Sequence, residues 1–166
     1  MGTANSDSHT ALEQVALPRT MVKVSKDDVT SFDQKEFIRN LKSGNAFGTT
    51  GPMLEVSLGE ASMGETFNGL RGTLTVDIST APWIAINELK VQTNGKTVAT
   101  FPLDDTLNQT IKIPLEFTKD SFVTVEVFGS ADEHYDHVYS GLQPYAFSNP
   151  IYVDFDQNDK WLAPGL

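Results

Sequence analysis

Apolar residues recur every second position along most of this chain, and that period restricts the fold more than any other feature. Leu54, Val56 and Leu58 alternate with Glu55 and Ser57, and Leu74, Val76 and Ile78 with Thr75, Asp77 and Ser79. Leu89 and Val91, then Ile111, Ile113 and Leu115, then Val123, Val125 and Val127 repeat the pattern. Successive strand side chains point to opposite faces, so each segment has one face to bury and one to solvate. Thr20 to Val24, Thr97 to Phe101 and Pro150 to Asp154 add shorter runs. Asn94-Gly95 sits between two of these segments and suits a tight hairpin, whose central positions need positive φ. Seven to eight short strands predict an all-β, antiparallel β-sandwich, immunoglobulin-like or jelly-roll-like.

One helix is expected before the first sandwich strands. Ser31 with Gln34, or Asp33 with Glu36, has capping-box spacing. Phe37, Ile38 and Leu41 would line one face, and Gly44 can take the left-handed C-terminal cap. The polar, aromatic stretch from Ser130 to Asn149 reads as a long loop over one end of the sandwich.

The 166 residues hold 22 acidic and 12 basic side chains, a net charge of −10. That balance disfavours nucleic acid and anionic lipid as partners, since both need a basic face. No apolar run approaches the ~18 residues of a membrane span, and no basic, apolar leader is present, so a soluble protein with no membrane partner is expected. The chain has no cysteine, which removes disulfides, thiolate catalysis and cysteine-ligated zinc.

Three groups of residues carry metal-ligand chemistry. Asp7 and His9 place a carboxylate and an imidazole two residues apart, and on an extended segment both would face one cation. His134 and His137 are three apart, a spacing that shares a face on a helical turn, although the surrounding residues read as loop. Asp154, Asp156 and Asn158 set oxygen donors at alternate positions, like the start of a calcium loop. Asp159 stands where an EF-hand needs glycine, so only a looser calcium site would fit. Trp83, Tyr135, Tyr139, Tyr145 and Trp161 could form a sugar-binding platform. Of these, Trp83 reads as core and Trp161 as a staple for the C-terminal segment. Arg19 reads as a surface or structural arginine, with a substrate anion as its alternative partner.

Four segments resemble, in order, the C-terminal part of PHP-type (polymerase and histidinol phosphatase-like) metallohydrolases, in the carbaryl-hydrolase-like branch. Asn5-Ser6-Asp7-Ser8-His9 is similar to the last metal-binding motif of the catalytic barrel. Leu17-Pro18-Arg19-Thr20-Met21-Val22 is similar to the link that follows it. The run from Leu41 to Pro52 resembles the start of the trailing β-domain, and the run from Ala146 to Asp154 its closing strand. Asn45, Thr50 and Ser148 depart from the family's pattern.

The resemblance implies that residues 1–30 are the end of a PHP barrel and its linker, and 31–166 a helix plus β-sandwich. It implies that Asp7 and His9 are metal ligands of an incomplete site, whose other His, Asp and Glu ligands belong to an upstream barrel. The parent enzyme's metal would be zinc, manganese or iron. This chain alone then has no catalytic residues and is expected to be inactive, with a structural or interaction role. A free-standing carbohydrate or small-ligand binding module is the alternative. Surface that would have met the barrel is expected to drive homo-oligomer formation.

Overall fold

The computed structural model describes residues 1–11, 13, 15–26 and 28–164. In chain order its elements are β1 (Arg19–Val22), α1 (Gln34–Ser43), β2 (Ala46–Thr49), β3 (Met53–Leu58), β4 (Ala61–Ser62), β5 (Thr66–Asn68) and β6 (Arg71–Ser79). There follow β7 (Ile86–Thr93), β8 (Lys96–Pro102), β9 (Asn108–Glu116), β10 (Ser121–Gly129), α2 (Glu133–Val138), β11 (Tyr145–Ser148) and β12 (Ile151–Asp154).

The predicted all-β sandwich is present. One sheet runs β4-β3-β6-β9, antiparallel throughout. Val56 lies opposite Val76, and Val76 opposite Ile111, so the alternating sets meet on one face. The second sheet has eight strands, with β10 as its central rail. One edge of β10 pairs with β7, which pairs with β8 across the Asn94-Gly95 turn. The other edge carries two strands end to end: β12 along Ser121–Val123 and β11 along Glu126–Phe128. At the break between them, the Val125 N–H donates to Ser148 Oγ at 2.9 Å, which keeps the rail's hydrogen bonding intact. β11 passes the ladder to β2 and then β1, whereas β12 pairs in parallel with β5.

The two sheets bury Leu54, Val56, Leu74, Val76, Leu89, Val91, Val123 and Val125 between them. Complete burial of a side chain of this kind contributes roughly 1.5–3 kcal/mol. Two of the edge strands carry proline. Pro114 lies mid-strand in β9, exposed, opposite Thr73 of β6, and Pro102 ends β8.

α1 starts at Asp33, whose carboxylate accepts the Lys35 and Glu36 N–H groups, and ends at Gly44 with φ of 90°. Of the two expected caps, Asp33 holds this position. Glu36 does not close a capping box; it accepts from Ser25 N–H and Oγ and so ties the helix to the segment after β1. No α1 residue is fully buried, and Ile38 is exposed, against the expected three-residue core face. The helix lies beside β1 at the sandwich margin, and Phe37 packs on Phe32 at 5.5 Å between centroids.

The segment from Ser130 to Asn149 is not the expected loop, because it holds α2 and β11. Asp132 starts α2 by accepting the Tyr135 N–H, and Tyr135 is the one residue of that helix that is buried. A helix of six residues with one inward residue has no period to detect. β2 also lacks alternation because all four of its residues are buried. A Cβ on Gly48 in that strand would collide with the Phe147 ring and sit 3.0 Å from Ala4 Cβ, so the N-terminal segment covers a face that would otherwise be open.

Candidate functional site

Asp7 and His9 stand on a segment that the sandwich holds by its first residues. Asn149 follows β11 and is 1% exposed. Its Oδ1 accepts the Gly2 N–H at 2.6 Å, and its Nδ2 donates to Ala46 O at 2.8 Å and Gly2 O at 3.2 Å. Two residues on, Ala4 and Thr20 bond reciprocally. The Ala4 N–H donates to Thr20 Oγ1, and the hydroxyl donates to Ala4 O, each at 2.9 Å. The N-terminal segment is therefore laid against β1 and β2 through backbone groups and two polar side chains.

Beyond this tether, His9 Nε2 lies 3.0 Å from Asp7 Oδ1, with both side chains largely exposed. Asp7 has φ of 51°, so the segment is not extended there, and the two groups meet each other instead of standing in parallel. The His9 and Thr10 N–H groups donate to the Glu13 carboxylate and hold its pKa below the usual range. Among the described residues no third carboxylate or imidazole joins Asp7 and His9 as a ligand set.

His134 and His137 both lie on α2, exposed, where their spacing shares a helix face. His134 Nδ1 is 3.7 Å from Asp132 Oδ2. No further ligand completes a set with them among the described residues.

The acidic C-terminal stretch behaves differently. Carboxylate oxygens of Asp120, Asp154 and Asp156 all lie within 4.8 Å of one another, the one such group of three among the described residues. Asp154 and Asp156 are two of the three expected calcium donors. Asp120 stands with them, and Asn158 instead donates to Asp156 Oδ2 at 2.8 Å and accepts from Lys160 N–H. A hard cation suits such oxygens. However, backbone N–H groups already use them. Asp154 accepts from Asn158 and Asp159, and Asp120 from Phe155 and Leu162. The cluster acts as a clamp that fastens residues 155–162 to the end of β12. The sequence places Asp154 and Asp156 in one turn, but Asp120 arrives from before β10, and nothing local announces it.

The five aromatic candidates do not form one platform. Tyr135 is fully buried, and its hydroxyl donates to Thr50 O at 2.9 Å; burial pushes its pKa up. Trp83 packs on Tyr139 at 5.4 Å and Tyr135 at 6.1 Å. Tyr145 donates to the Glu126 carboxylate, and burial, reinforced by that carboxylate, drives its pKa upward. Trp161 donates to Ser121 O at 2.7 Å and meets Tyr152 edge-on at 4.7 Å, the staple expected of it.

The residue that sequence reasoning missed most completely is Asn149. Asn-Pro signals a turn, but a side chain bonding three backbone groups across the molecule leaves no local signature. Comparisons with protein-family models, curated proteins and solved structures find no match for this chain. No described helix is long and apolar enough to cross a membrane.

Proposed function

We propose that this chain is the accessory β-sandwich of a PHP-type metal-dependent hydrolase, and that its task is to anchor the barrel segment carrying Asp7 and His9. The observation that carries this reading is the Asn149 tether, which fixes Gly2 to the sandwich and so determines where the Asp-x-His segment leaves it. An anchoring role explains why a buried polar side chain is spent on the backbone of an N-terminal residue. Two ligands do not hold a catalytic metal together with an activated water. The remaining His, Asp and Glu ligands of a zinc, manganese or iron centre come, in this reading, from an upstream barrel. The resemblance of the four ordered segments supports the same assignment.

The test has two arms. The purified chain, given zinc or manganese and activated carbamate or phosphate esters, is expected to show no metal-dependent turnover. The genomic sequence upstream of Met1 is expected to encode, in frame, a barrel with the remaining ligands. Metal-dependent turnover by this chain alone, or an in-frame stop immediately before Met1, overturns the reading.

A further inference from the structure

Arg19 opens β1, and its side chain lines a cavity of about 410 Å³ together with Met53, Trp83 and Tyr139. Its Nε is buried and has no hydrogen-bond partner, and no carboxylate pairs with it among the described residues. A buried N–H of a permanent cation without an acceptor is costly, and a native structure keeps few such groups. Met21 lies two residues further along the same face of β1, ~6.6 Å away. It lines a second cleft, of about 430 Å³, with Met53, Leu54, Val56 and Met63. Met53 is therefore a wall of both spaces. Asn45 Oδ1, the other buried side-chain atom lacking a partner among the described residues, belongs to a residue lining this second cleft.

We propose that a carboxylate carrying an unbranched apolar chain binds along β1, with its head on Arg19 and its chain over Met53 in the methionine-lined cleft. The charges fix the polarity of the ligand. Lys23, the other cation on these walls, is already paired with Glu55, which leaves Arg19 as the seat for an anion. Bidentate pairing of the Nε–H and one Nη–H with both carboxylate oxygens, the strongest open to arginine, requires the guanidinium to turn into the cavity about its last torsions. Three methionines supply walls that adapt to a flexible chain. Lys23, one residue past β1 and four residues on from Arg19, still lines the cleft. That span is ~13 Å, and a ten-carbon acid is of about that length. This site is independent of the hydrolase reading, because none of its residues is one of the metal ligands.

Calorimetric titration with sodium decanoate and with 1-decanol tests it. The wild-type chain is expected to bind decanoate saturably, one per chain. Arg19→Met should weaken decanoate about tenfold or more while leaving decanol unchanged, since only the charged pair is lost. Arg19→Gln should do the same, and Met21→Trp, which fills the cleft, should weaken both ligands. Thermal melts of the three variants identify those that are folded, and the comparison is read on them. The absence of saturable decanoate binding in the wild type overturns the proposal. So does equal decanoate affinity in the wild type and either Arg19 variant.

Discussion

Leu74, Val76, Leu89, Val91, Val123 and Val125 fill the middle of the sandwich without a polar side-chain atom among them, whereas Thr49, Thr50, Ser148, Asn149 and the Tyr135 hydroxyl are buried together at the β11 end. The first region is held by area removed from water, a non-directional force that accepts any well-fitting apolar shape. The second is held by hydrogen bonds with fixed partners. Thr50 Oγ1 donates to Gln143 O at 2.6 Å and accepts the Tyr145 N–H at 2.8 Å, while Thr49 Oγ1 accepts the Gly51 N–H and donates to Pro52 O. The middle therefore supplies stability, and the end determines which segments sit where. The N-terminal segment, α2 and β11 all attach at that polar end.

The largest expected effect falls in the middle. Leu74→Ala should cost about 2–5 kcal/mol, measured by urea denaturation, because it opens a cavity between the sheets. Leu74→Met should cost less than ~1.5 kcal/mol. If the two losses are alike, shape and not area governs the middle, and the contrast with the end fails.

Asn149→Ala comes next, with a loss of roughly 1–3 kcal/mol as buried backbone groups lose their partner. It should also speed amide exchange at Gly2 and Ala4 while leaving Val125 unchanged. Retained protection at Gly2 would mean that the tether is not what holds the segment. Tyr135→Phe removes the donor to Thr50 O and should cost about 1 kcal/mol, with the melt of α2 separating from that of the sheets in circular dichroism.

Titration should also separate the regions, since the buried side chains of the middle do not ionise. The Tyr135 N–H holds the Asp132 carboxyl below its usual value. A depressed folded-state pKa gives stability that is present above the unfolded value near ~3.9 and lost as pH falls through the folded one. Tyr145 is the opposite case. Its raised pKa gives stability present below ~10 and lost as pH rises beyond it. Loosening of α2 in acid and of β11 in alkali, each before the sheets unfold, is the expected order by amide exchange. Simultaneous loss everywhere would erase the distinction. The smallest effect is expected from calcium: at millimolar concentration it should move the melting temperature by less than ~1 °C, because N–H groups already occupy the Asp120 and Asp154 oxygens. A larger rise would turn the clamp into an ion site.

The same division explains what could be read in advance. Strands of the middle advertise themselves, since Leu54 to Leu58, Leu74 to Ile78 and Val123 to Val127 each alternate over several residues. β2 is buried on both faces and shows no period, and β11 turns Ala146 and Ser148 inward and leaves Tyr145 and Phe147 half-buried, so its large apolar residues do not mark the buried face. The candidate ligands were visible by type and spacing in Asp7, His9, Asp154 and Asp156. Their settings were not, because Asn149 reaches Gly2 across 147 positions and Asp120 reaches Phe155 across 35. Local spacing reports which atoms are offered, and only the folded chain reports what already uses them.

Pro114 bears on crowding. β9 ends its sheet, and a second molecule laid alongside it would need an unbroken row of donors and acceptors to extend the ladder. A proline nitrogen offers no hydrogen, so the row has a gap at mid-strand, where a docking neighbour would leave a carbonyl unmatched. That edge thus carries its own stop against growth into fibres, written in one residue.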